Sequence, residues 1–145
     1  MASSSAGHAD AVVLDSSFLI AYHNTRDAQH GAAARAMAHF AAGSWGRGLL
    51  LEYVFLEVAT VLMARRGAEV AIRVGTDLLQ SDELDFVPCS ELFADAWREF
   101  TRQGGRGLSF TDAAIAVAAR TRAGGRVATF DADFRGLSGI TVMPS

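Results

Sequence analysis

The chain has 145 residues, a formal charge of −3, half its residues hydrophobic and a fifth charged. That is enough for one well-cored domain, too little for two, and too apolar for a disordered chain. The balance is not that of a general polyanion binder. The single cysteine, Cys89, excludes an internal disulfide and a cysteine metal cage. All 13 basic side chains are arginine, so chemistry that needs a lysine Schiff base or a P-loop lysine is excluded.

Residues 1–10 are rich in Ser, Ala and Gly, lack the basic start of a signal peptide, and read as a flexible tail ahead of a single domain over 11–145. No apolar run approaches membrane-span length. Ala11–Leu14 reads as a buried strand ending at Asp15, and Ser16–Tyr22 as a short helix. His30–Ala42 predicts a second helix closed by Gly43. Leu49–Leu51 predicts a strand that runs into a helix over Glu52–Arg66, with Val54, Val58, Val61 and Leu62 inward and Glu57 beside them. Ala68–Gln80 is a further helix, Leu84–Val87 a third strand, and Ser90–Arg102 an amphipathic helix with Ser90 as its cap. After the glycine loop 103–107, Ser109 opens an alanine-rich helix. Gly124 and Gly125 stop it, Val127–Phe130 forms a fourth strand ending at Asp131, and Ile140–Met143 a weaker fifth.

Strands alternating with helices imply a three-layer α/β/α sandwich around a parallel sheet, with every strand C-terminus on one edge. Ligands of such sheets sit outside that edge, which is where Asp15 and Asp131 fall. Asp112 reads in two ways. With Ser109 it matches a capping box, in which the helix dipole favours the acid. Alternatively, it joins Asp15, Glu57 and Asp131 in one cluster. Asp15 can equally be a cap, Asp131 and Asp133 can shape a turn, and Glu57 can meet an arginine. Taken together, four carboxylates converge only if a cation or shared protons relieve their repulsion. All-oxygen donors suit Mg²⁺ or Mn²⁺ rather than zinc. The four histidines all lie in the first third of the chain, and His23 and His30 read as surface residues rather than ligands.

Four segments carry a resemblance: Val12-Val13-Leu14-Asp15-Ser16-Ser17, Glu57 within Tyr53–Val58, Leu108-Ser109-Phe110-Thr111-Asp112-Ala113, and Val127–Phe134 with Asp131 and Asp133. In this order and spacing the chain resembles the PIN domains, and among them the VapC-like toxins of bacterial toxin–antitoxin pairs. The resemblance implies that Asp15, Glu57, Asp112 and Asp131 form an acidic quartet with Asp133 as an accessory. It also implies a Mg²⁺- or Mn²⁺-dependent cytoplasmic ribonuclease, dimeric and paired with a small antitoxin protein. Glu52, at the start of the Glu57 helix, departs from the usual small polar residue, so the two glutamates compete for the metal-facing role; Glu57 is favoured because it shares the stripe of Val54, Val58 and Val61, whereas the helix dipole alone explains Glu52 in the first turn. With no lysine, contacts to RNA phosphates fall to arginine, and Arg65, Arg66, Arg102 and Arg106 flank the strand ends. Two other readings stand beside this one: a catalytically silent PIN-like module that binds RNA or protein, and a phosphoacceptor signalling domain, whose usual lysine this chain lacks.

Overall fold

The computed structural model describes residues 11–144, so the tail expected over 1–10 lies outside the described residues. Five strands form one parallel sheet: β1 Ala11–Leu14, β2 Arg47–Leu51, β3 Leu84–Val87, β4 Arg126–Ala128 and β5 Thr141–Met143, in the order β3-β2-β1-β4-β5. Six α-helices complete it: α1 Ser16–His23, α2 His30–Ala41, α3 Glu52–Arg66, α4 Ala68–Gln80, α5 Phe93–Gln103 and α6 Phe110–Arg122. Contacts divide the helices into two layers, with α1 to α4 packed on one another and α5 paired with α6. This is the α/β/α sandwich that the alternating apolar runs predict. Among the described residues, no helix is long and apolar enough to cross a membrane.

β1 sits at the centre because all four of its side chains are buried, a burial pattern that suits a strand covered on both faces. α6 can lie close against the sheet because its buried face is mostly alanine: Ala113, Ala114, Ala116, Ala118 and Ala119 are buried with Ile115. Phe18, Phe134, Leu14 and Leu50 fill the volume around them, and each such side chain contributes roughly 1.5–3 kcal/mol on burial. The turn from α6 into β4 requires glycine. Gly125 has φ +86°, and a Cβ there would meet the carbonyl oxygen of Gly139 at 2.0 Å.

Several element ends differ from expectation by a few residues, and two of these differences bear on the site and its support. Ser90 does not cap α5: the chain leaves Pro88 through a 3₁₀ turn over Cys89–Glu91, and the helix starts at Phe93. Burial of Leu92 and the hydrogen bond from the Cys89 amide to Glu52 Oε1 at 2.8 Å fix that extra turn. β4 stops at Ala128, two residues early, and this releases Thr129 to turn its hydroxyl towards β1.

α5 is fastened to α6 by Glu99, which is 8 % exposed. Its carboxylate accepts from Arg102 at 2.8 Å and Gln103 at 2.7 Å and pairs with Arg120 at 3.3 Å. Burial pushes the Glu99 carboxyl up, but those hydrogen bonds and the two arginine charges outweigh it and hold it below the usual range. Replacing Glu99 by alanine is expected to cost about 1.5–3 kcal/mol of stability, since charged hydrogen bonds are lost at a buried position. Arg122→Ala, which removes the half-exposed pair with Glu91, is expected to cost less than about 1 kcal/mol. Urea unfolding of the two variants measures the difference, and equal losses would contradict the role given to Glu99.

Candidate active site

The sheet reverses its winding at β1, whose neighbours are β2 on one side and β4 on the other. Beyond the carboxyl ends of β1 and β4 opens a cleft of about 430 Å³, lined by Asp15, Glu57, Asp112 and Asp131 together with Ser17, Asp27, Gln29, Val61, Arg65 and Ser109. The structure thus gathers the four acids from β1, α3, α6 and the segment after β4 in one place. Asp133 stands beside them: Asp112, Asp131 and Asp133 each present a carboxylate oxygen within 4.8 Å of the other two.

Asp15 is 4 % exposed and occupies the N-cap position of α1 without capping it through its side chain. Instead Oδ2 accepts hydrogen bonds from Thr129 Oγ1 at 2.7 Å and Ser17 Oγ at 2.9 Å. The two hydroxyls lie 3.1 Å apart, and they accept in turn from the backbone amides of Asp131, at 2.9 Å, and Phe130, at 3.0 Å. Ser17 and Thr129 therefore tie the end of β1 to the end of β4 through the Asp15 carboxylate. Burial raises the Asp15 carboxyl above its ordinary value, and the nearby Asp131 charge adds to the rise, although both hydroxyls oppose it.

Asp112 completes the capping box in full. Its amide donates to Ser109 Oγ at 3.1 Å, and its Oδ2 accepts from the Ser109 amide at 3.2 Å. Asp131 likewise shapes its turn, Oδ1 accepting from the Asp133 amide at 2.9 Å. The structural and functional readings of these acids are compatible, because each carboxylate has two oxygens. Among the described residues, the second oxygens of Asp112 and Asp131 have no donor, and the second oxygen of Asp15 meets only Ser16 Oγ at 3.5 Å.

Glu57, Val61 and Arg65 are spaced four residues apart on α3, and all three line the cleft. Glu52 faces elsewhere, holding the Cys89 amide at the end of β3. Of the four arginines suggested by sequence, Arg65 alone lines the cleft. Arg66 donates to the side chain of Asn24 at 2.9 Å, Arg102 is engaged by Glu99, and Arg106 is exposed in the glycine loop. The sequence reading missed Ser17 and Thr129 as structural partners of Asp15. The available signal was a hydroxyl two residues after one strand-end acid and another two residues before the next.

Residues 12–140 match the family model of the PIN domain. The chain belongs to the PIN domain family. By structure it is similar to VapC20 of Mycobacterium tuberculosis, described as a sarcin–ricin loop cleaving toxin, with TM-score 0.75, 26% identity and coverage of 89% of this chain and 96% of that one. It also resembles in fold the VapBC2 complex of Rickettsia felis bound to a fragment of its promoter DNA, with TM-score 0.62, 13% identity and coverage of 91% and 96%. A search of the curated proteins gave no match. In this PIN domain the acids of the four resembling segments all lie in or beside the cleft.

Burial pushes the Asp112 carboxyl up to about 6, with the charges of Asp15 and Asp131 adding to it against the Ser109 hydrogen bonds. The folded PIN domain therefore holds this proton more tightly than the unfolded chain, whose value is near 3.8. Stability from this group is complete below the unfolded value and is lost as pH rises through the folded one. Asp15 acts in the same direction, whereas Glu99 and Asp85, both lowered, lose their contributions only at acid pH. In EDTA, the urea midpoint is expected to fall between about pH 5 and 7, and Asp112→Asn is expected to flatten that fall. A midpoint that rises over this window would contradict the assignment.

Proposed function

We propose that this PIN domain is a metal-dependent endoribonuclease and the toxin of a toxin–antitoxin pair. The observation that carries the reading is the convergence of Asp15, Glu57, Asp112 and Asp131 in one cleft, with one oxygen each of Asp112 and Asp131 left over from the fold's own hydrogen bonds and the second oxygen of Asp15 met only by Ser16 Oγ at 3.5 Å. The likeness to VapC20 supports the toxin role, and the VapBC2 fold supports an antitoxin as protein partner. The protein works in the cytoplasm as a homodimer.

The donor set fits a hard divalent cation, Mg²⁺ or Mn²⁺: every candidate ligand is a carboxylate oxygen, and neither histidine nor cysteine lines the cleft. Asp15 and Asp112 serve as the main ligands, with Glu57 and Asp131 completing the shell and Asp133 as an accessory. When bound, divalent ions activate the attacking water and neutralise the charge developing on the leaving oxygen of the phosphodiester. The carboxylates act as ligands rather than nucleophiles. Ser17 and Thr129 fix the rotamer of Asp15, Ser109 fixes that of Asp112, and Ile20, Val61 and Phe130 supply the apolar part of the wall. Arg65 meets a substrate phosphate from the α3 side. Arg66, Arg102 and Arg106 are outer candidates for the RNA path.

The test separates the two glutamates of α3. Glu57→Gln is expected to reduce RNA cleavage by at least a hundredfold while the protein melts within about 2 °C of wild type. Glu52→Gln keeps an acceptor for the Cys89 amide and is expected to retain cleavage within a few-fold. A gel assay with labelled RNA in Mg²⁺ reads both, and loss at Glu52 with retention at Glu57 would reverse the assignment.

A further inference from the structure

Beside the acidic cleft lies a more open groove of about 530 Å³, and the two share Glu57, Val61 and Ser109 in their walls. α3 supplies Tyr53, Leu56, Glu57, Thr60 and Val61 to the groove, at the three- and four-residue spacing of one helix side. From the start of α6 come Thr111, the residue directly before Asp112, and the capping residue Ser109. Glu57 is the one charged residue lining the groove, which therefore repels phosphate rather than holding it. What the groove offers is hydroxyls beside apolar surface. Thr60 and Ser109 are exposed and Thr111 is half-buried. Among the described residues the hydroxyls of Thr60 and Thr111 have no hydrogen-bond partner, and Ser109 Oγ, which accepts from the Asp112 amide, keeps its own proton to donate.

Resting on the metal-dependent ribonuclease reading, we infer that this groove seats the sugar of a nucleotide flanking the scissile phosphate, and that Thr111, aided by Thr60 and Ser109, contacts its 2′-hydroxyl and so selects RNA over DNA. The chemistry alone makes no such selection, because a metal-activated water attacks either phosphodiester and leaves the 2′-hydroxyl unused. Selection then falls to a protein contact with that hydroxyl, which both donates and accepts. The hydroxyls beside the acids are already committed. Ser17 donates to Asp15 and accepts from the Phe130 amide, and Thr129 donates to Asp15 and accepts from the Asp131 amide. Unspent hydroxyls stand instead in the groove, where Thr111 is one peptide bond from Asp112 in the cleft wall. Of the parts of a nucleotide, the sugar is the one attached directly to a phosphate held among the acids. It is also neutral and hydroxyl-bearing, as a groove with Glu57 and no cation requires.

The test pairs hydroxyls of the protein with hydroxyls of the substrate. Wild-type protein in Mg²⁺ is given an end-labelled RNA oligonucleotide of mixed sequence to map a cut, and the RNA is then remade with a single 2′-deoxynucleotide on one side of that cut or the other. One of the two deoxy substrates is expected to lose about fivefold in kcat/KM, as for one neutral hydrogen bond. Thr111→Val keeps the side-chain shape without the hydroxyl. It is expected to lose about as much on the all-ribose RNA and to bring the deoxy penalty within about twofold, the signature of two groups that contact each other. Thr60→Val is expected to shrink the penalty less, and Thr111→Ser to restore it, with all three variants melting as the wild type does. A penalty of full size in both valine variants, or a wild type that cuts both deoxy substrates as fast as the RNA, would overturn the groove assignment while leaving the nuclease reading intact. A lower sedimentation mass for Thr111→Val than for wild type would make the groove a contact between copies and overturn it as well. If the RNA is not cut at all, the nuclease reading fails and the groove assignment falls with it.

Discussion

Like charges gathered at the end of a parallel sheet repel one another, and here every nearby contact manages that repulsion. Asp15 is the extreme case, a carboxylate almost out of solvent between β1 and β4. Its desolvation is offset by two hydroxyls rather than by a cation, so it is hydrogen-bonded without being neutralised. Asp112 and Asp131 are treated likewise, each giving one oxygen to a backbone amide at a cap or turn. The fold uses half of each carboxylate for its own local structure. The remaining halves are held in fixed directions around one cleft, at the cost of raised proton affinity at Asp15 and Asp112. Such an arrangement is preorganised for a hard cation and is strained without one.

The same constraint shapes the surroundings. A basic side chain placed among the acids would relieve the repulsion but would also compete with a metal, and the buried pairs of the protein are kept elsewhere: Glu99 with Arg102 and Arg120 joins α5 to α6, and Arg126 donates to the carbonyls of Ala11 and Trp45. Glu52, which stands next to the cleft helix's start, is turned away to hold the Cys89 amide. The cleft is consequently left acidic, with Arg65 at its wall, and the groove beside it, which shares Glu57, has no basic lining residue.

Much of the fold was legible because its strands are short apolar runs that end in acids or prolines, and its helices end at Gly43, Gly67 and Gly104. The choice of Glu57 over Glu52 followed from helical phase, since Glu57 shares the stripe of Val54, Val58 and Val61, and in the structure it lines the cleft with Val61 and Arg65. The Ser90 cap was misread because local propensity favours serine there, while tertiary burial of Leu92 demands one more 3₁₀ turn. Ser17 and Thr129 escaped notice for a different reason. The bonds by which they cross from one strand end to the other link residues more than a hundred positions apart, and the side-by-side pairing of β1 with β4 is what brings those residues together. The i,i+3 spacing of Glu99 and Arg102 could have warned that this arginine is already engaged, whereas the contact of Arg66 with Asn24 depends wholly on how α3 meets the segment after α1.

The central claim is that this acidic arrangement is completed by a divalent cation. Thermal melting with and without Mn²⁺ addresses it directly, because an ion that binds only the folded state stabilises it by RT ln(1 + [L]/Kd). At a concentration a hundredfold above Kd this amounts to about 2.7 kcal/mol, a shift of several degrees for a domain of this size. The wild type is predicted to melt higher in Mn²⁺, and an Asp15→Asn/Asp112→Asn variant to show no such rise while melting at or above the wild type in EDTA. Equal shifts in both proteins would place any bound ion outside this cleft and contradict the account.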